Sequence, residues 1–311
     1  MNISTNKTMS AICWPLIKLC EWMGRNTPET LVKIRFYAKF KRWPRLKNPQ
    51  DLNEKILWLK LYSDISRWIE LADKYKVRQY IENLGLGKYL VKLYGKWDKA
   101  EDIAFNQLPN TAIFKVNNGD GKGTNLIVRD IQHTNHDELR KTFAKWLSRK
   151  NIGDLSAEPH YKHMAPCIIA EEVLKIPEDA HSLTDYKIWC INGEPLYIFT
   201  CSDRDDDGGG ADVMTYDLEW NAHPEFSVFT SEYRRGRLLP KPQNLEEMLS
   251  VAAQLSKDFP ILRVDLYNID GMIYFGELTF TSQGGMMDYF TQEFLSMLGN
   301  KADISHITKV R

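Results

Sequence analysis

The sequence has no excess of either charge: 41 basic residues balance 41 acidic ones. That balance excludes a global field able to draw in nucleic acid. There is no run of about 18 apolar residues, so no transmembrane helix is expected. The most apolar early stretch, Ile12-Cys-Trp-Pro-Leu-Ile-Lys-Leu-Cys-Glu-Trp-Met23, is too short to span and lacks a cleavage site, and it reads as an amphipathic first helix. Cysteine is scarce and unpatterned. Cys13, Cys20, Cys167, Cys190 and Cys201 are odd in number with no C-x-x-C spacing, as in a cytoplasmic protein with reduced thiols. His133 with His136, and His160 with His163, lack a third ligand at zinc spacing. There is no G-x-S-x-G and no clear pairing of a nucleophile with a base, so covalent catalysis by a side chain is not indicated. No internal repeat or low-complexity tract interrupts the chain.

What is present is enough for a sizeable core. The chain has 311 residues, 43% of them apolar, which suits one large globular domain or two ordinary ones. Residues 1 to about 72 have helical texture. Asp51 opens a capping box with Glu54, and a further helix is expected from about Ser63 to Asn83, stopping at Gly85. Short strands follow: Tyr89 to Trp97, Thr111 to Val116, Asn125 to Arg129, Cys167 to Leu174, and Asp185 to Ile191. The last turns at Asn192-Gly193 into Pro195 to Cys201. Helices are expected at Asn135 to Lys150 and Gln243 to Lys257. Intermixed helices and antiparallel hairpins favour an α+β fold of two lobes, with a helical region over 1–72 and the remaining domain over 73–311. Seven basic residues and no acidic one lie between Lys33 and Lys47, which suits a solvated helix face, a phosphate-facing patch or a membrane-surface patch.

The most informative stretch is Arg263-Val-Asp-Leu-Tyr-Asn-Ile-Asp-Gly-Met-Ile-Tyr-Phe-Gly-Glu-Leu-Thr279. It reads as two strands joined by a three-residue loop, with Gly271 as a left-handed bulge. In that register Asn268 faces Met272, Arg263 faces Glu277, and Asp265 lies diagonal to Glu277. One face then carries Arg263, Asp265, Tyr267, Glu277 and Thr279. The other carries Val264, Leu266, Tyr274, Leu278 and Phe280. A two-residue Asp-Gly turn would instead put Asp265 and Glu277 on opposite faces. Two hard oxygen donors close together suit Mg²⁺, while a surface hairpin with a cross-strand Arg–Glu pair fits the same residues.

Four other constellations carry chemical potential. Phe114-Lys115 leads into Asn118-Gly119-Asp-Gly121-Lys122-Gly123, a loop able to lay backbone N–H groups round a phosphate. It is no Walker A motif, because no G-K-[ST] opens a helix; as a plain turn it needs no ligand. Glu171-Glu172-Val173-Leu174 ends an apolar strand with a carboxylate and free backbone edges, which suit a purine or an ordinary strand end. Asp185-Tyr-Lys187 and Arg204 put two cations at hairpin ends, within reach of a triphosphate or of exposed ion pairs. Asp203-Arg-Asp205-Asp-Asp207 could hold a metal on a nucleotide-sugar diphosphate, but it runs straight into Gly208-Gly-Gly210 and reads as a mobile acidic loop.

The order of these pieces resembles the ATP-grasp superfamily, and more closely the TupA-like ATP-grasp family associated with bacterial cell-surface polysaccharides. The phrases that carry the resemblance are Asn53-Glu-Lys-Ile, Asp73-Lys-Tyr-Lys-Val-Arg78, Phe114-Lys-Val-Asn-Asn-Gly, Ile169-Ala-Glu-Glu172, Asp185-Tyr-Lys187, Leu255-Ser-Lys-Asp-Phe-Pro260, Arg263-Val-Asp-Leu-Tyr-Asn and Phe275-Gly-Glu-Leu-Thr-Phe280, between about Pro49 and Gly299. The resemblance implies an ATP-grasp fold whose two lobes enclose ATP. Lys115 would contact the α/β phosphates, and Asn118, Gly119, Gly121, Lys122 and Gly123 would close over them. Glu171, Glu172, Val173 and Leu174 would hold the adenine, with Glu178 or Asp179 at the ribose. Lys187 and Arg204 would face the γ-phosphate and acceptor. Asp265 and Glu277 would bind two Mg²⁺ ions, Thr279 would stand at the third ligand position where many relatives have Asn, and Arg263 would stabilise the charged intermediate. The proline that often follows is absent from Thr281-Ser282-Gln283-Gly284.

The implied function is an ATP-dependent carboxylate–amine ligase acting through an acyl phosphate. It would amidate a sugar acid (a hexuronate of a bacterial surface polysaccharide or its precursor) with an amino acid or amino alcohol. The alternatives are an ATP-grasp kinase of a sugar hydroxyl, or a glycosyltransferase using Asp203 and Asp205. The partners implied are ATP and a small-molecule or glycan substrate, with no nucleic acid. The location implied is the cytoplasm, with peripheral contact at the inner face of the membrane through the N-terminal region.

Overall fold

The computed structural model describes residues 5–119, 123–150, 152–178, 180–205 and 209–310. It opens with helices α1 (Thr5–Asn26), α2 (Pro28–Phe40) and α3 (Leu52–Tyr62). The capping box at the start of α3 is present: Asp51 accepts from the Glu54 N–H, and Glu54 reaches back to the Asp51 N–H. Arg42 and Arg45 close on the same pair, Arg42 at 2.5 Å from Asp51 and 2.7 Å from Glu54. Burial alone would raise the Glu54 carboxyl; hydrogen bonds from Arg45, Gln50 and Arg42 bring it down to about 2. Part of the basic run is therefore consumed within the fold. Lys33 pairs with Glu29 and Lys39 with Asp288. Leu31, Val32, Phe36, Leu57 and Leu61 form a small core among these helices.

The single helix expected from Ser63 to Asn83 is two: α4 (Ser66–Leu71) and α5 (Val77–Asn83). Asp73 breaks it. Its carboxylate accepts from the N–H groups of Tyr75 and Lys76, at 2.8 and 3.1 Å, and from the Asn117 amide at 2.7 Å. A side chain that bonds its own backbone offers an alternative to the helix ladder. Gly85 ends α5 with φ of +74°.

Two sheets follow. The first comprises β1 (Leu93–Trp97), β2 (Ala112–Val116), β3 (Asn125–Val128) and β4 (Ile168–Glu171), in antiparallel order β1-β4-β2-β3. Helix α6 (His136–Leu147) packs Phe143 and Trp146 toward Phe114 on β2. Short α7 (Pro159–Lys162) precedes β4. The second sheet contains β5 (Asp185–Ile191), β6 (Glu194–Ser202), β7 (Ala211–Tyr216), β8 (Tyr233–Arg235), β9 (Ile261–Ile269) and β10 (Met272–Thr279), in order β10-β9-β5-β6-β7-β8. Asn192 and Gly193 both take positive φ, as a tight two-residue hairpin requires. Strands β7 and β8 lie where the sequence reading placed no strand.

Helix α8 (Leu245–Ser256) covers one face of the second sheet with Val251, Ala252 and Leu255, beside Cys190 and Val264. Helix α9 (Gln292–Lys301) and the preceding aromatics Tyr289 and Phe290 stack on Phe199 and Trp189 of the other face. Cys167, Cys190 and Cys201 are free and buried, and Cys20 is free. Two antiparallel-rich sheets with flanking helices agree with the expected α+β architecture.

Candidate functional site

The hairpin of β9 and β10 corrects the expected register. Asp270 and Gly271 both have positive φ, at 51° and 80°, and Ile269 pairs with Met272, so the turn has two residues and not three. That turn alone would place Asp265 and Glu277 on opposite faces. A β-bulge between Phe275 and Glu277 shifts the register by one residue and sets Glu277 opposite Asp265. Gly276 sits at the shift, where a Cβ would lie 2.9 Å from the carbonyl oxygen of Asp265. Arg263 consequently faces Thr279, not Glu277, and Tyr274 faces Tyr267 on the polar side. Ile273 and Phe275 are buried on the apolar side with Leu278 and Phe280. Those residues carry the signal that was missed: apolar alternation runs 273, 275, then 278, 280, with its phase slipped by one.

On the polar face, Glu277, Asp265 and Lys187 form one row across β10, β9 and β5. Asp265 accepts Arg263 Nε on Oδ1 and Arg263 Nη2 on Oδ2, each at 2.7 Å, and Lys187 Nζ also donates to Oδ2 at 2.7 Å. Burial would raise the Asp265 carboxyl; Arg263 and Lys187 reverse that and hold it below the ordinary carboxylate range. Burial would likewise lower Lys187, but Asp185 and Asp265 raise it. Arg204 grips Asp185 through Nε at 2.9 Å and Nη2 at 2.6 Å. Lys187 and Arg204 are thus turned onto carboxylates of their own sheet. Thr279 Oγ1 accepts from Arg263 Nη2 at 3.0 Å and donates to Glu277 at 3.3 Å. The side chain of Glu277 is 44% exposed.

The first sheet supplies a second cluster. Lys115 Nζ lies 2.8 Å from Glu171 Oε2, and Arg78 Nη1 lies 3.0 Å from Glu171 Oε1. Glu172, Val173 and Leu174 leave the end of β4 without regular structure; Glu172 is exposed, and its N–H donates to Lys92 O. At the start of the glycine loop, Asn117 binds Asp73, Ala165 O and the Cys167 N–H. Asn118 Oδ1 is buried and has no hydrogen-bond partner among the described residues. A Cβ on Gly119 would meet Thr124 at 2.5 Å, and Gly123 has φ of +73°. Gly121, Lys122 and Asp179 lie outside the described residues.

Lys74 joins the two clusters. Its Nζ donates to Gly119 O at 2.8 Å and lies 3.9 Å from Glu277 Oε2. The break at Asp73 is what delivers it there. In the sequence, Lys74 and Arg78 stand out only as members of the family phrase Asp73-Lys-Tyr-Lys-Val-Arg78. The signal was an acid followed by a lysine and an arginine inside an interrupted helix.

For Mg²⁺ the donor set fits in outline. Glu277 offers accessible oxygens, and Asp265 keeps one acceptor position after its three hydrogen bonds. Among the described residues no group of three His, Cys, Asp or Glu side chains could hold a metal alone. An ion here would complete its shell with phosphate oxygens and water, the usual Mg²⁺ arrangement. Asp203 and Asp205 are placed differently, while Asp206 and Asp207 lie outside the described residues. Asp205 pairs with Arg234 at 3.0 Å, and Asp203 lies 3.9 Å from Arg237. Those pairings favour a structural role for Asp203 and Asp205.

The TupA-like ATP-grasp family model matches residues 54–303. No curated protein is matched. Among solved structures, the D-alanine–D-alanine ligase of Bacillus anthracis aligns at 16% identity over 78% of this chain and 68% of that one, with a TM-score of 0.45. The same enzyme from Helicobacter pylori aligns at 15% identity over 84% and 68%, with a TM-score of 0.42. The chain therefore spans about two thirds of the length of each.

Proposed function

This chain belongs to the TupA-like ATP-grasp family, in a superfamily of ATP-dependent carboxylate–amine ligases, and from that premise we propose that it forms an amide through an acyl phosphate. The observation that carries the reading is the opposition of two clusters, Lys115–Glu171 with the glycine loop and Arg263–Asp265–Glu277, joined by Lys74. Lys115 and Lys74 neutralise the triphosphate, while the 171–174 segment takes the adenine against its backbone edges. Asn118, whose buried oxygen has no donor among the described residues, is placed to accept one from water or ligand. Bound Mg²⁺ would draw charge from the γ-phosphoryl group at Glu277 and Asp265. A substrate carboxylate attacks that group and ADP leaves; an amine then displaces phosphate from the acyl carbon. Arg263, held rigid by Asp265, stabilises the negative oxygen of the tetrahedral adduct.

The acceptor in this reading is a sugar acid of a surface glycan or its precursor, and the amine an amino acid or amino alcohol. The site then works in the cytoplasm. No helix among the described residues is long and apolar enough to cross a membrane. Helix α1 nevertheless exposes Trp14, Leu16, Leu19 and Trp22, each by more than half. These residues, more than the partly neutralised basic run, would rest on the inner membrane face.

The test is ATP, D-glucuronate and hydroxylamine, which traps an acyl phosphate as a hydroxamate. The expected outcome is hydroxamate with equimolar ADP and phosphate. A phosphorylated sugar without hydroxamate would replace the ligase with a kinase. A folded protein that millimolar Mg·ATP does not stabilise would remove both.

A further inference from the structure

Lys60 on α3 lies outside the clusters just described and is completely buried. Its Nζ donates to Ser156 O at 2.7 Å and to Gly284 O at 2.6 Å. Burial pulls its pKa down to about 8, with Glu158 partly opposing and Arg35 adding to the fall. An apolar side chain would fill the space without that desolvation, so what the ammonium holds becomes the informative question.

It holds the turn that leaves β10. Gln283, Gly284 and Gly285 take successive positive φ values of 46°, 65° and 80°. Such a run directs carbonyl groups away from the ordinary ladder, and Lys60 satisfies one of them. Glu158 grips the same turn at the Thr281 hydroxyl. Between these two anchors stands Ser282. Its Oγ accepts from Arg263 Nη1 at 2.6 Å and pairs with Tyr289 OH at 2.9 Å. Arg263 therefore has two supports: Asp265 fixes one edge of the guanidinium, and Ser282, on the turn held by Lys60, fixes the other.

We propose that Lys60 is a positioning residue for the reaction, holding the 281–285 turn so that Ser282 sets the guanidinium of Arg263 over Glu277 and Thr279. The role of Arg263 rests on the ligase reading; the hold on the turn does not. The turn comes from the strand that bears Glu277, while Lys60 comes from the N-terminal helices. Those helices thereby complete the active centre in addition to packing on it.

The experiment uses the full chain with Lys60→Met. Amide exchange over 281–287 should quicken at least tenfold while β5 and β9 stay unchanged. The rise in Tm on adding Mg·ATP should persist. The kcat for ADP release with D-glucuronate and hydroxylamine should fall at least tenfold, with KM for ATP within twofold, and Lys60→Arg should recover part of the loss. A general structural role would instead loosen the sheet and spoil ATP binding together. Unchanged exchange at 281–287, or unchanged kcat with a loosened turn, overturns the proposal. Should Lys60→Met not fold, Thr281→Val releases the neighbouring anchor, and the same pattern is expected at smaller amplitude. A wild type that never responds to Mg·ATP defeats the ligase reading, and exchange over 281–287 then decides whether Lys60 holds the turn.

Discussion

Glu171 in the first sheet and Asp265 in the second are gripped alike, each under one lysine and one arginine. Glu171 has Lys115 and Arg78; Asp265 has Lys187 and Arg263. Their surroundings differ. Lys115 keeps 26% of its side chain exposed, against 12% for Lys187. In the second sheet the open group is an acid, Glu277. The open group is thus a cation, Lys115, in the first sheet and a carboxylate, Glu277, in the second, with Lys74 between. Similar ion pairs sit in different surroundings: Lys115 stays partly exposed beside Glu171, whereas Arg263 is buried beside Asp265 with Glu277 open next to it.

Breaking the two grips should give unequal results. Asp265→Asn leaves two buried cations short of a full charge and should cost about 3–5 kcal/mol in denaturant unfolding. Glu171→Gln should cost markedly less, because its partners stay wetter. The pH dependence should separate them further. The folded Asp265 carboxyl is held below its unfolded value of about 3.9. Its contribution to stability is present above that value and is lost as pH falls through the lower folded one. Asp265→Asn should therefore show a flatter stability profile than the wild type in the acid range, below about pH 5. Equal losses for both variants would erase the distinction.

The glycines sharpen the comparison at a smaller scale. Gly276→Ala pushes a methyl into the Asp265 carbonyl, a backbone atom with little freedom, and should cost about 1–3 kcal/mol. It should also uncouple Glu277 from Asp265, seen as weaker Mg²⁺ dependence of ATP binding. Gly119→Ala meets Thr124 at Oγ1 (2.5 Å) and at the stiff Cβ (2.8 Å), so its stability loss should be at least as large, with ATP binding suffering alongside. The smallest effect should be on ligand-linked stability. Lys115→Met, if it weakens ATP tenfold, lowers the ATP-induced stabilisation by about 1.4 kcal/mol with or without Mg²⁺. Glu277→Gln should lower it only when Mg²⁺ is present. Identical metal dependence in both variants would contradict the division of roles between Lys115 and Glu277.

Much of the scaffold was legible locally. The capping box at Asp51 and Glu54, the stop at Gly85 and the turn at Asn192-Gly193 each rest on residues close in sequence whose backbone preferences decide the matter. The paired acids were legible as a pair, but through the wrong register. A three-residue loop was read where a two-residue turn and a later bulge reach the same juxtaposition. Strands β7 and β8 went unread because their pairing partners are supplied by the sheet, not by their own pattern.

The sequence by itself determined where the chain turns, which residues carry charge beside the hairpin, and the order of pieces that marks the family. Only the tertiary structure decided which charges remain open. Lys187 and Arg204 suit either a triphosphate or ion pairs in the sequence, and folding pairs them with Asp265 and Asp185. Nothing local in the sequence singles out Lys74 or Lys60, and folding brings one to Glu277 and the other to the turn behind Arg263. The physical reason is that backbone preference acts over a few residues. The partner that neutralises, buries or strands a charge arrives from a distant part of the chain, 78 residues away for Lys187 and 224 for Lys60.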